Sequence, residues 1–557
     1  MCFMDNLLRK QLYLLILALA GLSMAGYLFI KNPNIGDDSL HYIIPVYNYF
    51  TAQSYTYLGE NEIINPPGYG FFVYCLNLII HDFEYSAMLI SLLSYLACIP
   101  VCYFITRKIF NMIGAVFIAS FFVFSPVFLK YSYVSLSDML YICISLFAFN
   151  SFYRCYVFHK GSKRERILLG VFLGACYLIR PEAFLIACLC IVILFIADWR
   201  LSYLSAKGNN RLKLALQAFI PLIVFILFAA PYMKYLYKQT NQLTFSSKLS
   251  YNLLVGEIVT KGVEHIEKLK QSDSERFIYG ETRNPIKYIE KNKFELLFRY
   301  YKNFIQELQF LGGILIHAVV SLIFVALIHI KKIKRLDFYR FAHDIHWLPF
   351  SVFLSPLLFI PLFFIDVRFL LSYSVILLML IAGTAGLFFQ RILIVTDKMS
   401  VIYKYGMVVV LYLIFVSGIL EPILPVRIPS LSRTLTNQSA HRGLREAGLW
   451  LGNNIDVNRP VKIMMPQKGE VALFYAYGKR EPKGKAFAID HEKSISEIVQ
   501  DMIEVKIDYL ILDNKYILNL PEFNMLWNNP ENANKYGLSI VFWKINKNFQ
   551  VYSILKT

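Results

Sequence analysis

Long apolar runs dominate the sequence and leave few folds open. About eleven of them recur, near 11–30, 85–105, 111–129, 137–157, 166–179, 182–198, 213–233, 309–330, 346–364, 368–388 and 402–423. Most have the roughly 17–22 residues that a helix needs to cross a bilayer. The pair between 166 and 198 is short and reads as two spans or as one broken helix. A helix satisfies its own backbone hydrogen bonds, as hydrocarbon demands. At 57% hydrophobic residues and a mean hydropathy of +0.49, a soluble domain could not hide this surface. The expected class is therefore a polytopic α-helical membrane protein. Ala18-Leu19-Ala20 could pass for a signal-peptidase site, but the apolar run continues roughly ten residues beyond it, so a retained first helix is expected.

Charge predicts orientation. Lys and Arg gather at Arg9–Lys10, Arg107–Lys108, Arg154 to Arg166, Arg200 to Lys213, Lys331 to Arg340 and Arg391 to Lys404. These basic loops alternate with basic-poor ones, which puts the amino end in the cytoplasm and the carboxyl end outside. Three hydrophilic regions then share the outer face: a loop at about 31–84, an insert at about 235–305 and the tail after about 427. Stretch 66–81 looks like a juxtamembrane or re-entrant helix. The tail alternates helix-like and strand-like segments, predicting a small extracytoplasmic α/β domain over 428–557. The net charge of +18 is scattered over short loops, which suits anionic lipid headgroups and not nucleic acid. All nine cysteines lie at or before Cys190, mostly in apolar runs, and read as packing residues, not as disulfides or metal ligands.

The residues that carry chemistry start in the first outer loop. Asp37 and Asp38 are adjacent carboxylates, followed by Tyr42 and by Pro66-Pro67-Gly68-Tyr69. Neighbouring like charges raise the pKa of one of them, which suits a general base near neutral pH. Asp38 also suits the start of a helix. Asp138, in the next outer turn, either caps a helix or joins the same face. Arg180-Pro181-Glu182 separates two apolar runs and reads as an internal ion pair or as a helix end that meets phosphate. Lys248, early in the insert, and Arg368, beside Asp366, read as phosphate clamps or as interfacial anchors. Paired carboxylates could hold Mg²⁺ or Mn²⁺ with a substrate phosphate, although the spacing does not demand it. His265-Ile266-Glu267 lacks the cysteine half of a zinc-deaminase motif, and no H-E-x-x-H occurs, so catalytic zinc is not expected.

Taken together, these residues resemble the integral-membrane glycosyltransferases of the GT-C fold. The likeness is to the bacterial branch with lipid A aminoarabinose transferases and protein O-mannosyltransferase-like enzymes. It rests on Asp37-Asp38, Tyr42, Pro66 to Tyr69, Asp138, Arg180 to Glu182, Arg368 to Leu370, and a soluble tail after the last span. The family often has Asp-Glu where this chain has Asp37-Asp38, which leaves open which carboxylate is the base. The resemblance implies a polyprenyl-phosphate sugar donor and a lipid, glycan or protein acceptor bound at the outer face. It implies Asp37 as base, with Asp38 and Asp138 as the other catalytic acids, inversion at the anomeric carbon, and Arg368 with Lys248 or Arg180 on the leaving phosphate. Tyr42, Tyr69 and Glu182 would line the substrate site. A lipid transporter or flippase is the main alternative, but internal repeats and midplane acids are not evident.

Overall fold

The structure is a computed structural model that describes residues 2–33, 35–157, 163–204, 209–261, 285–328, 347–363, 365–395, 442–456, 458–466, 468–490, 493–514, 521–543 and 548–555. The expected span at 402–423, the domain boundary near 427, the basic loop 331–340 and His265–Glu267 lie outside these residues.

Apolar composition and helix-end chemistry define the bundle. Its first half comprises α1 (Cys2–Lys31), α2 (Asp37–Ala52), α3 (Gly68–Ile80), α4 (Phe83–Ile109), α5 (Met112–Phe124), α6 (Pro126–Tyr131) and α7 (Asp138–Val157). It continues through α8 (Lys163–Ile179), α9 (Ala183–Leu204), α10 (Asn209–Thr240), α11 (Lys248–Lys261), α12 (Pro285–Lys291), α13 (Lys293–Ile328), α14 (Trp347–Leu354) and α15 (Val367–Val395). Helix α4 begins where Asp82 accepts the Tyr85 N–H, and Arg107 and Lys108 sit in its last turn, where cations meet the negative helix end.

Among the described residues, five helical segments are long and apolar enough to cross a membrane: Leu12–Lys31, Phe83–Ile109, Asp138–Val157, Phe219–Thr240 and Val367–Leu387. Shorter apolar helices fill the bundle between them. Proline explains several of the short ones. The run at 111–129 is cut at Ser125–Pro126 into α5 and α6. The run at 346–364 yields α14 and then two 3₁₀ turns carrying Pro356 and Pro361. The run at 166–198 is two helices, α8 and α9, parted at Arg180–Glu182, and the 66–81 stretch holds α3. Small residues bring α5 against α15: a Cβ on Gly386 would come within 2.3 Å of the Gly114 backbone nitrogen.

The C-terminal unit opens with α16 (Arg442–Asn454) and continues through β3 (Lys462–Met465), α17 (Gly469–Ala476), β4 (Lys485–Ala488), α18 (Ile495–Val505), β5 (Tyr509–Asp513), α19 (Pro521–Asn528), β6 (Leu538–Phe542) and β7 (Phe549–Ile554). Strands β1 (Thr56–Tyr57) and β2 (Glu60–Asn61) form a separate hairpin in the loop after α2. The five-stranded sheet runs β4-β3-β5-β7-β6, parallel at β4-β3-β5 and antiparallel at β5-β7-β6. Side chains alternate across it, as the strand period of two requires. Ile463, Met465 and Ile511 join the core shared with α16, α17 and the helix bundle. Met464, Leu510 and Leu512 join a second core with Ile498 and Met502 of α18. Burial on both faces explains why Tyr509–Asp513 reads as an almost unbroken apolar run.

Candidate active site

The predicted site residues converge at one end of the bundle, where α2 begins. Gly36 precedes the helix in extended conformation (φ −90°, ψ 162°), and Ser39 in the first turn accepts its N–H at 3.2 Å. The Ser39 hydroxyl also donates to the Ser135 carbonyl, so the acidic pair is pinned to the turn ahead of α7. Asp37 is the first residue of α2; its side chain lies outside the described set. Asp38 follows, about half exposed (53%), and its carboxylate receives the Arg368 guanidinium. Arg368 Nε is also 3.6 Å from Asp366, which accepts the Arg368 N–H at 2.9 Å.

A second pair lies beneath the first. Asp138, the first residue of α7, accepts Arg180 Nη2 at 2.5 Å, and their side chains are only 3% and 7% exposed. Arg180 is 3.7 Å from Glu182, stacks over Tyr141 at 5.5 Å, and reaches the Arg368 carbonyl at 3.5 Å. The junction reads from sequence as a local Arg180–Glu182 pair; the structure gives the shorter bond to Asp138, which sequence distance hides.

Lys248, the first residue of α11, is the third cation. It donates to the Tyr42 hydroxyl at 3.0 Å and to Asn65 Oδ1 at 3.2 Å, and it lies 5.4 Å from the Tyr42 ring centre. Buried Glu62 accepts the N–H groups of Ile64 and Asn65 at 2.8 and 2.9 Å, which turns Asn65 toward the lysine. Tyr42 packs edge-on against Tyr69 at 5.6 Å; Tyr69 is fully buried and donates to the Ala87 carbonyl at 3.4 Å. The Pro-Pro-Gly-Tyr-Gly sequence follows from packing. A Cβ on Gly70 would lie 2.1 Å from the Tyr42 carbonyl, and one on Gly68 would lie 2.5 Å from the Leu178 carbonyl. Only glycine lets α3 pass between α2 and the end of α8.

Burial pushes the Asp38 carboxyl up, but Arg368, with smaller help from Lys468 and Lys248, outweighs it and holds the group below its usual value. The rise expected from two adjacent carboxylates is therefore absent at Asp38, which is an ion-paired anion and a weak base. Burial alone pushes Lys248 down, yet Tyr42 and Glu182 more than offset it, so its ammonium is held protonated. Among the described residues no three His, Cys, Asp or Glu side chains gather as metal ligands. Asp38 and Asp138 face guanidinium groups, so as arranged they do not fit a divalent ion. The sequence reading missed Asn65, Ser135, Tyr141 and Lys468. Asn65 is the one with a local signal, three residues after Glu62 and directly before the prolines.

An apolar helix bundle with an acidic pair, tyrosines and three cations converging at one end is a membrane protein of the GT-C glycosyltransferase fold. Residues 65–228 match the dolichyl-phosphate-mannose-protein mannosyltransferase family. That segment holds Asn65, the Pro-Pro-Gly-Tyr turn, Asp138 and Arg180–Glu182, whereas Asp37, Asp38, Lys248 and Arg368 fall outside it. Similar solved structures include the oligosaccharyltransferase AglB from Archaeoglobus fulgidus in complex with an inhibitory peptide and a dolichol-phosphate. The TM-score is 0.54 at 12% identity, covering 98% of this chain and 74% of that one. ArnT from Cupriavidus metallidurans in the apo state gives 0.51 at 10% identity, covering 98% of both chains. ArnT bound to undecaprenyl phosphate gives 0.50 at 10% identity, covering 97% of both. No curated protein matches the chain in sequence.

Proposed function

We propose that this protein moves a sugar from a polyprenyl-phosphate donor to an acceptor hydroxyl at the outer face of the cytoplasmic membrane, with inversion. The observation that carries the reading is Lys248. Its ammonium donates to a tyrosine hydroxyl and to an amide oxygen, Tyr42 and Asn65, and it stands in the same site as the Asp38–Arg368 pair. Glu182 supports this half-buried ammonium through space while its hydrogen bonds go to Tyr42 and Asn65, and a phosphate adds a counter-charge at the ammonium itself. A lipid phosphate supplies one at headgroup depth. Arg180 pairs with Asp138 where both side chains are buried, whereas Arg368 pairs with the half-exposed Asp38, so Lys248 and Arg368 are the cations assigned to the phosphate. GT-C structures with dolichol-phosphate and with undecaprenyl phosphate support this choice of donor class.

In the reaction, Asp37 takes the proton of the acceptor hydroxyl. The oxygen attacks the anomeric carbon as the bond to the lipid phosphate breaks. Negative charge grows on the leaving phosphate, and Lys248 and Arg368 stabilise it there. Asp38 keeps the Arg368 guanidinium aimed at the site. Tyr42 and Tyr69 form the aromatic wall beside the lysine. The C-terminal unit covers the outer face.

The test is sugar transfer by purified protein in lipid, with radiolabelled polyprenyl-phosphate sugars and an envelope extract as acceptor, run beside Asp37→Asn. Transfer by wild type alone supports the reading. Equal transfer by both removes Asp37 as base. Lipid movement across the vesicle without transfer favours a flippase.

A further inference from the structure

One of the contacts between the C-terminal unit and the acidic loop is a buried cluster around Glu84. Glu84, in the first turn of α4, is fully buried. Its carboxylate accepts Arg445 Nε at 2.9 Å and the Tyr475 hydroxyl at 2.8 Å, and Lys479 Nζ lies at 2.8 Å. Lys479 also pairs with Asp82 at 2.5 Å. Two cations and a hydroxyl on one buried carboxylate fix the position of that hydroxyl closely. The Tyr475 oxygen has one further bond: it accepts the backbone N–H of Ile35 at 2.9 Å.

Ile35 is fully buried and lies two residues before Asp37. The backbone entering α2 is therefore held from two directions, by Tyr475 at Ile35 and by the Ser39–Ser135 contacts at Gly36. Other bonds dock the same unit farther along the loop. Glu470 accepts the Tyr57 hydroxyl at 2.6 Å, and Glu481 accepts Asn48 Nδ2 at 2.7 Å and the Leu58 N–H at 2.8 Å. Of these contacts, the one made by Tyr475 touches the backbone that leads into the acidic pair.

We infer that Tyr475 is a positioning residue for Asp37 and Asp38: its hydroxyl, fixed by Glu84, holds the Ile35 amide and so sets the first turn of α2. The inference rests on the transferase reading above. Tyr475 touches neither donor nor acceptor in it. It acts through the backbone, and it makes the geometry of the base depend on a docked C-terminal unit. Without the hydroxyl, a buried N–H is left with no acceptor, and the turn shifts to find one.

The full-length protein in lipid tests this with Tyr475→Phe, which keeps the ring over Arg445 (5.6 Å) and removes only the hydroxyl. Hydrogen–deuterium exchange of the segment around Ile35 is measured beside kcat and donor KM. Exchange is expected to accelerate about tenfold or more, with the buried bond gone. The kcat is expected to fall on the order of 10²-fold, the cost of a misplaced reacting group. Donor KM is expected to change less than kcat, because Lys248 and Asn65 lie outside α2, whereas Tyr42 and the Asp38–Arg368 pair feel the shift only indirectly. Glu481→Ala loosens docking elsewhere and is expected to leave exchange at Ile35 unchanged. Wild-type exchange or wild-type kcat in Tyr475→Phe overturns the inference. Equal effects of Glu481→Ala on both readouts also overturn it, since general docking would then explain them. Should wild type transfer no sugar from any donor, the transferase reading fails, and exchange alone decides whether Tyr475 holds the segment.

Discussion

Replacing Asp138 by alanine should destabilise this protein more than any surface change, for a reason visible in the geometry. The pair with Arg180 is 2.5 Å long, and its side chains are 3% and 7% exposed. Removing one partner of a buried pair leaves an uncompensated charge and typically costs about 3–5 kcal/mol. Glu182 remains 3.7 Å from Arg180 and offsets part of that. The expected loss for Asp138→Ala is therefore near the lower limit, about 3 kcal/mol. A double change, Asp138→Leu with Arg180→Met, removes both charges and fills the space with apolar groups. It should bring stability back to within about 1 kcal/mol of wild type, as apolar replacements of buried pairs do. Apparent melting in lipid, followed together with sugar transfer, is the assay. If the pair is a structural strut, transfer returns with stability in the double variant. A single Asp138→Ala within about 1 kcal/mol of wild type would refute the reasoning, because a buried guanidinium cannot lose its main partner so cheaply.

Three further outcomes are expected. Lys248→Met should lower kcat/KM for the donor by about 10²-fold, and Lys248→Arg should keep part of the activity, since both donate to phosphate but with different reach; steady-state kinetics reads both. The depressed Asp38 carboxyl carries stability that is fully present above the ordinary carboxylate pKa and lost as pH falls through its lowered folded value. At pH 3.8, the ordinary aspartate value, Asp38 should therefore remain mostly ionised, which carbon-13 spectra of labelled aspartate compared with Asp38→Asn would detect. Gly70→Ala should cost about 1–3 kcal/mol by overpacking, because its Cβ would lie 2.1 Å from the Tyr42 carbonyl. Gly26→Ala, with nothing within 4 Å, should be neutral in the same melting assay.

Local patterns were readable where local physics decides them. The apolar runs became helices, Arg180-Pro181 parts two of them, and Tyr509–Asp513 is a strand, whereas the break at Pro126 inside the run at 111–129 is not visible in hydropathy alone. Asp37, Tyr42, Asp138, Arg180, Lys248 and Arg368 drew notice because charge or hydroxyl beside an apolar run needs a reason. Their pairing was not readable. Asp138 meets Arg180 across 42 residues, Lys248 meets Tyr42 across 206, and Asp38 meets Arg368 across 330. No periodicity encodes such distances. The same limit hid the lowering at Asp38: adjacency to Asp37 is visible in the chain, whereas a distant guanidinium is not. Lys485–Ala488 escaped notice as a strand because it is short and carries a charge at its start.

The bond between Ile35 and Tyr475 joins residues 440 positions apart. A ribosome makes the acidic loop among its first products and its anchor among its last. Closing so long a loop comes late in folding, after the local helices have formed. The backbone ahead of α2 is thus completed only once nearly the whole chain exists. Maturation of the site is written into the order of synthesis, and a chain halted before residue 475 would carry Asp37 and Asp38 on an entry turn that lacks its final tether.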